Sequence, residues 1–189
     1  MSHLRKDLGH LTKASYMNQK EASEYLKQHG YSHDSQLSKN HSKVFVDKHG
    51  NPIVLHRGTH TFKDVIDDGL VALGLGRFGF RHKDAVRTTK KAEEKYKKPA
   101  HAVGHSYGGH LAENSEAHGN ILTYNKAVGL GDVFTKKNSE RQHDVRTKGD
   151  LVSVLGKTQN HNVEEIENKN LFPNALNANN TDNLFGERN

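Results

Sequence analysis

The sequence predicts a single-domain α/β fold in which helices flank a mostly parallel central sheet. Its length of 189 residues suits one domain with one full core. Short apolar strands alternate with helical patterns from residue 42 onward. Across residues 100–125 a strand, a helix and a second strand follow one another, which is the unit that joins parallel strands by a right-handed crossover.

Residues 1–41 are predicted to form a helical extension at the periphery of an α/β domain made of residues 42–189. Asn18 followed by Glu21 resembles a capping box that starts a helix, and Gly30 ends it. The N-terminus is polar and no run of about 18 apolar residues occurs, so we expect a soluble, cytoplasmic protein without a signal peptide.

The remaining elements follow from periodicity and from glycine and proline breaks. Strands are predicted at 42–47 and 52–56, joined as a hairpin, and at 100–103, 120–125, 142–147 and 162–167; helices are predicted at about 61–70, 83–98 and 107–118. The glycine-rich apolar segment 69–81 has two interpretations, a core-facing loop or a mobile lid that contacts lipid. Ten asparagines between Asn160 and Asn189 indicate a C-terminal segment that needs docking to become ordered.

Charge and composition exclude several classes of function. The chain has no cysteine, which excludes disulfides, zinc–thiolate sites and thiol nucleophiles. Its net charge of +6 is scattered among acidic residues, so we do not expect nucleic acid as a partner. The densest run, residues 90–98, mixes both signs as an exposed helix face does; a phosphate- or lipid-binding patch is the alternative. No histidine pair with a nearby carboxylate lies on a convincing helix, so no metal or cofactor is expected.

The pentapeptide Gly104-His105-Ser106-Tyr107-Gly108 is the strongest chemical signal in the sequence. It lies between an apolar strand and a helical pattern, where a Gly-x-Ser-x-Gly motif holds its serine in a sharp turn. The glycines let the strand and helix pass closely, and the start of the helix favours a developing negative charge. The alternative is a chance glycine-rich turn.

Two further segments fit the same chemistry. Arg57-Gly58-Thr59 ends an upstream strand, so the N–H groups of Thr59 and Tyr107 are predicted to form an oxyanion hole. Asp150 follows a strand that comes after the serine, which suits the acid of a catalytic triad. Alone, a Gly-Asp pair at a strand end is equally well explained as a turn.

Together these segments resemble the class 3 lipase family, a branch of the α/β hydrolases. The resemblance runs from about Ser42 to Phe185 and rests on five segments in the family's order: residues 53–59, 64–68, 104–112, 121–125 and 148–152. It implies an α/β-hydrolase fold and hydrolysis of lipid or small carboxylic esters, with Ser106 as nucleophile and Asp150 as the residue that orients the base.

The resemblance does not supply the third residue of the catalytic triad, the family's histidine. The C-terminal segment that resembles it carries Asn179 at the histidine position, and an asparagine amide does not take a proton near neutral pH. His161 is the best-placed substitute in chain order, although it precedes the last predicted strand. The alternative function is therefore an inactive lipase fold that serves as a structural, lipid-binding or assembly protein. Because short forms of the family occur in viruses, the resemblance also suggests a virion-associated protein with a membrane surface or a protein partner.

Overall fold

A computed structural model describes residues 2–58, 79–127, 140–148 and 162–167, and all structural statements below concern these residues. The described helices are α1 (Ser2–Lys6), α2 (Leu8–Tyr16), α3 (Gln19–Lys27), α4 (Gly79–Tyr96) and α5 (Tyr107–Glu113). The described strands are β1 (Ser32–Asp34), β2 (Ser42–Val46), β3 (Pro52–His56), β4 (His101–His105), β5 (Ile121–Tyr124), β6 (Gln142–Thr147) and β7 (Val163–Ile166). The predicted helix at 61–70, residues 69–78 of the glycine-rich segment and the asparagine-rich segment from residue 168 lie outside them.

The seven strands form one sheet in the order of the chain, β1 to β7. β1, β2 and β3 pair antiparallel, and the steps from β3 to β7 are all parallel. The prediction of a mostly parallel sheet with flanking helices is confirmed. β1 was not predicted, since its three residues Ser-His-Asp carry no alternating apolar pattern.

Most predicted elements are present with shifted ends. The hairpin of β2 and β3 is confirmed, and Asp47 closes its turn by accepting hydrogen bonds from the N–H groups of His49 at 2.8 Å and Asn51 at 2.9 Å. α4 begins four residues earlier than predicted, at Gly79, and α5 ends earlier, at Glu113. Three residues after α5, Glu116 adopts a φ of 58°, which a right-handed helix does not allow.

The direction of the sheet explains which face each helix covers. β3, β4 and β5 advance in one direction, so right-handed crossovers place α4 and α5 on the same face. That leaves the opposite face uncovered, and the N-terminal helices fill it. One core cluster joins these helices to six strands, β2 to β7; its members are Leu4, Leu8, Leu11, Ala14, Ala22, Leu26, Tyr31, Phe45, Ile53, Leu55, Val103, Leu122, Tyr124, Val145 and Ile166.

The expectation that residues 1–41 lie at the periphery is therefore wrong. A parallel sheet needs both faces covered, and this segment supplies one of the two covers. The predicted capping box is confirmed: the side chain of Asn18 accepts from the Glu21 N–H at 2.9 Å. Arg5 also pairs through two nitrogens with Glu164 of β7. The division of the chain at residues 41 and 42 stays a prediction.

None of the described helices is both long enough and apolar enough to cross a membrane.

Candidate functional site

Ser106 occupies a strained turn between β4 and α5. Its backbone has φ 54° and ψ −125°, a left-handed conformation that costs a serine about 1–3 kcal/mol. The N–H of Ser106 donates to the carbonyl of Tyr124 at 3.0 Å, and its own carbonyl accepts from the N–H of Ala127 at 3.0 Å. These bonds to the end of β5 hold the turn in place, and the residue as a whole is 3% exposed. The predicted sharp strand-to-helix turn is confirmed.

The flanking glycines are required by close backbone contacts. A Cβ at Gly104 would lie 2.0 Å from the carbonyl oxygen of Gly108, and a Cβ at Gly108 would lie 2.1 Å from the carbonyl oxygen of His56. The first contact brings α5 onto β4, and the second brings α5 onto the end of β3. Only glycine permits both approaches, so these residues fix the start of α5 against the two strands.

The end of β3 lies beside the turn. A Cβ at Gly58 would be 3.5 Å from the Cβ of Ser106 and 2.8 Å from the carbonyl oxygen of His105. The sequence predicts that this segment lies next to the serine, and the structure brings Gly58 there. Thr59 itself lies outside the described residues, so its predicted part in an oxyanion hole stays a prediction.

Tyr16, at the end of α2, reaches the same place from the opposite face of the sheet. Its hydroxyl lies 2.8 Å from Nδ1 of His105 and is also hydrogen bonded by the backbone of Gly58. Burial raises the pKa of Tyr16 to about 12, against the lowering effect of the Gly58 backbone and of two arginines. The ring of His105 also stacks on Tyr124, with centroids 5.2 Å apart. His105 is thus held on the α2 side of β4.

Arg81, in the first turn of α4, links the end of β3 to the serine turn. A terminal nitrogen donates to the carbonyl of Arg57 and, at 3.5 Å, to the carbonyl of Gly58. The same guanidinium lies 4.9 Å from the centroid of the Tyr107 ring. Burial lowers the pKa of Arg81 and raises the pKa of the Tyr107 hydroxyl to about 12. Tyr107, the residue that follows the serine, is therefore packed against a cation.

On the other side of the turn, the ends of β5 and β6 are bonded together. The Tyr124 hydroxyl lies 2.7 Å from Oγ1 of Thr147, and the N–H of Thr147 donates to the side chain of Asn125 at 2.8 Å. β6 ends at Thr147, three residues before Asp150 in sequence. These hydrogen bonds fix the end of β6, the strand that precedes the predicted acid in the sequence.

The remaining members of the predicted triad are outside the described residues: Asp150, His161 and Asn179. None of the hydrogen bonds found in the described ranges involves the Ser106 hydroxyl. Its two histidine neighbours in sequence make other contacts, His105 with Tyr16 and His110 with the Tyr107 ring, at 5.9 Å between centroids. The roles assigned to all the predicted site residues stay predictions.

Sequence reasoning did not identify Tyr16 or Arg81. Each reaches the turn from a distant helix, and no local motif marks either residue. Within the part of the chain that the structure describes, no three histidine or carboxylate side chains gather closely enough to hold a metal ion.

Comparisons with known proteins give one structural similarity. No protein-family model matches the sequence, and a comparison with curated protein sequences finds no match. Among solved structures, the chain is similar to the crystal structure of a mutant form of MDLA from Penicillium cyclopium. The two are 13% identical with a TM-score of 0.48, over 88% of this chain and 77% of that one.

Proposed function

We propose that this chain has the scaffold of a serine hydrolase of the class 3 lipase type, with Ser106 as the nucleophile for carboxylic esters. The backbone of Ser106, at φ 54° and ψ −125° between β4 and α5, carries the proposal. A strained serine at such a turn presents its hydroxyl at the carboxyl edge of a parallel sheet, where acyl-transfer nucleophiles of this type lie. The order of the sequence motifs supports the same assignment.

In the proposed reaction, Oγ of Ser106 attacks the ester carbonyl and a base accepts the hydroxyl proton. The oxyanion that forms is stabilised by the N–H groups of Thr59 and Tyr107. The base then protonates the leaving alcohol, and water hydrolyses the acyl-enzyme by the same route. Asp150 orients the base. The position of Gly58 beside Ser106 supports the part assigned to Thr59, which follows it in the chain.

The base decides between two functions. His161 would supply it in an active enzyme, whereas Asn179 at the family's histidine position would leave Ser106 without activation. The second candidate is an inactive lipase fold that acts as a structural, lipid-binding or assembly module. Asn179, at the position of the family's histidine, favours it. His105 contacts Tyr16 and His110 contacts the ring of Tyr107, so neither is proposed as an alternative base. Without a base, binding and the oxyanion hole alone would leave a residual acceleration of about 10³–10⁴ over water, by the precedent of serine proteases.

The test is hydrolysis of a short-chain nitrophenyl ester by the parent chain, Ser106→Ala, His161→Gln and Asn179→His. A parent rate well above that of Ser106→Ala and lost in His161→Gln would support the active enzyme with His161 as base. A parent rate equal to that of Ser106→Ala, with a gain in Asn179→His, would support the inactive module on the same scaffold.

The matched control is Ser115→Ala, because Ser115 is a buried serine that bonds to the carbonyl of Ala112 at the end of α5. It should leave any rate unchanged. If Asn179→His also gains nothing and a fluorophosphonate probe fails to label Ser106 in every variant that keeps this serine, Ser106 is not the nucleophile of an ester hydrolase and the proposed reaction is wrong.

A further inference from the structure

The peptide group that joins Arg57 to Gly58 is hydrogen bonded on both of its sides by side chains. The N–H of Arg57 still donates to the carbonyl of His41 at 3.0 Å, which extends the bonding between β2 and β3 one residue past β3. Beyond that point, the carbonyl of Arg57 accepts from Arg81 of α4. The N–H of Gly58 donates to the hydroxyl of Tyr16 of α2. Two side chains thus replace a neighbouring strand as partners of this backbone.

The two bonds reach the 57–58 peptide group from opposite faces of the sheet. α2 packs on one face of β3, against Ile53 and Leu55, and α4 packs on the other, against Val54. A trans peptide group is planar, and its C=O and N–H point in opposite directions. The group therefore cannot rotate without losing one of its two partners. This matters at Gly58, because glycine by itself leaves the backbone free to rotate.

The 57–58 peptide group adjoins both residues that are predicted to stabilise the oxyanion. Arg81 also bonds the carbonyl of Gly58, at 3.5 Å, and that carbonyl belongs to the peptide group that carries the N–H of Thr59. The guanidinium of Arg81 lies 4.9 Å from the ring centroid of Tyr107, the second predicted donor. A Cβ at Gly58 would lie 3.5 Å from the Cβ of Ser106. The bonds to this peptide group are therefore made next to the proposed nucleophile.

We propose that Tyr16 and Arg81 are positioning residues, which hold the 57–58 peptide group so that the oxyanion donors beside it are aligned before an ester binds. Neither residue is assigned a contact with the ester. The inference deepens the proposed function and rests on it for the reaction. Donors that are fixed in advance stabilise the charge that develops in the transition state more than they stabilise the bound ester. Loss of their alignment should therefore lower kcat and leave KM nearly unchanged.

The test measures kcat and KM for the nitrophenyl ester in the parent chain or, if the parent is inactive, in Asn179→His. Tyr16→Phe removes only the hydroxyl, and Arg81→Met removes the donors. We expect each to lower kcat at least about tenfold, since small displacements of catalytic groups have effects of this size, and to change KM less than about twofold. Arg81→Lys keeps one donor and should recover part of the loss. An unchanged kcat in Tyr16→Phe would overturn the proposal.

Each substitution has a control that loses the same kind of bond elsewhere. Tyr31→Phe removes a buried hydroxyl of the same core cluster, which donates to Asp7 at 2.7 Å. Arg141→Met removes a nitrogen that donates to the carbonyls of Ala117 and Gly119, each at 3.0 Å, just before β6 begins. Both controls should lose stability and keep kcat. If kcat falls as far in the controls, the effect is a general loss of stability and the positioning role is wrong.

Amide hydrogen exchange of Gly58, followed by nuclear magnetic resonance, tests the bond to Tyr16 without any turnover. In Tyr16→Phe the N–H of Gly58 loses its acceptor, so its exchange should become about tenfold faster than in the parent. Tyr31→Phe should leave this exchange rate as it is in the parent. Equal rates in Tyr16→Phe and Tyr31→Phe would show that Tyr16 does not hold the peptide group, and the proposal would fall.

The two proposals fail separately. Ester hydrolysis that keeps the parent kcat in Tyr16→Phe would refute the positioning role and leave Ser106 as the nucleophile. Absence of hydrolysis in both the parent and Asn179→His would refute the proposed reaction, and the role in oxyanion alignment with it. The exchange rate of Gly58 would still decide whether Tyr16 holds this part of the backbone.

Discussion

Replacing Gly108 by alanine tests the close contact that positions the serine turn. A Cβ at this position would lie 2.1 Å from the carbonyl oxygen of His56, 2.9 Å from the carbonyl carbon of Arg57 and 2.9 Å from the nitrogen of Gly58. All three atoms belong to the backbone, so no side chain can rotate to make room. Non-bonded heavy atoms settle at about 3.5–4.0 Å, and α5 or the end of β3 must therefore move by more than about 1 Å.

The size of the effect follows from two opposing contributions. Overpacking in a closely packed region costs about 1–3 kcal/mol, and a contact with backbone belongs at the upper end of that range. Alanine in place of glycine inside a helix stabilises the folded chain by up to about 1 kcal/mol. We therefore expect Gly108→Ala to lower the free energy of unfolding by about 2 kcal/mol. With a urea dependence of about 2 kcal/mol per molar, the midpoint falls by about 1 M.

The measurement is urea unfolding followed by far-ultraviolet circular dichroism. Gly79→Ala is the matched control, because it is also a helical glycine and a Cβ there meets nothing within 4 Å. Its midpoint should stay level with that of the parent or rise by up to about 0.5 M, since no contact opposes the gain of up to about 1 kcal/mol from alanine in a helix. If the two variants unfold at the same urea concentration, α5 does not press on the end of β3 as described.

Two further predictions concern strain and pH. Ser106→Gly should be more stable than Ser106→Ala by about 1 kcal/mol in the same assay. Glycine adopts a φ of 54° without the strain of about 1–3 kcal/mol, but the greater entropy of the unfolded chain offsets part of that gain. Equal stability of the two variants would contradict the strained turn. Burial lowers the pKa of His56 from 6.5 to about 3. Below pH 6.5, His56 is therefore protonated in the unfolded chain and neutral in the folded chain, so the free energy of unfolding falls as the pH drops towards 3. His56→Gln should reduce that slope between pH 6.5 and 3, whereas His49→Gln, at an exposed turn, should keep it; identical slopes in the two variants would refute the assignment.

Local patterns predicted the elements of the sheet well. β2 and β3 are short, mostly apolar runs joined by a polar turn, and β4 and β5 are short apolar runs on either side of α5. Such signals are local, because residues two apart in a strand share a face and glycine or proline breaks mark the ends. The serine turn was predictable for the same reason: its glycines and its place between a strand and a helix all lie within nine residues of one another in the sequence.

Contacts between distant segments could not be predicted in this way. Tyr16 meets His105 across 89 positions of the chain, and nothing near either residue indicates the other. The buried charges could not be predicted either, because charged side chains are ordinarily expected at the surface. Lys43 is 1% exposed and donates to the carbonyl of Ser15, and burial lowers its pKa to about 8. Lys126, also 1% exposed, pairs with Glu113 at the end of α5 and with Asp144 of β6.

The strain at Ser106 bears on the choice between an enzyme and an inactive module. A fold that used this turn only to connect β4 to α5 would be more stable with glycine at position 106, since the neighbouring Gly104 and Gly108 already meet the steric demands of the turn. A serine there adds strain, and its hydroxyl makes no hydrogen bond among the described residues that would compensate for it. The residue is also supported from both faces of the sheet, by α5 and by the contact of Tyr16 with His105 and Gly58. Strain that is supported from both faces of the sheet favours a hydroxyl that acts on a ligand, and the ester assay on Ser106→Ala decides whether that action is catalysis.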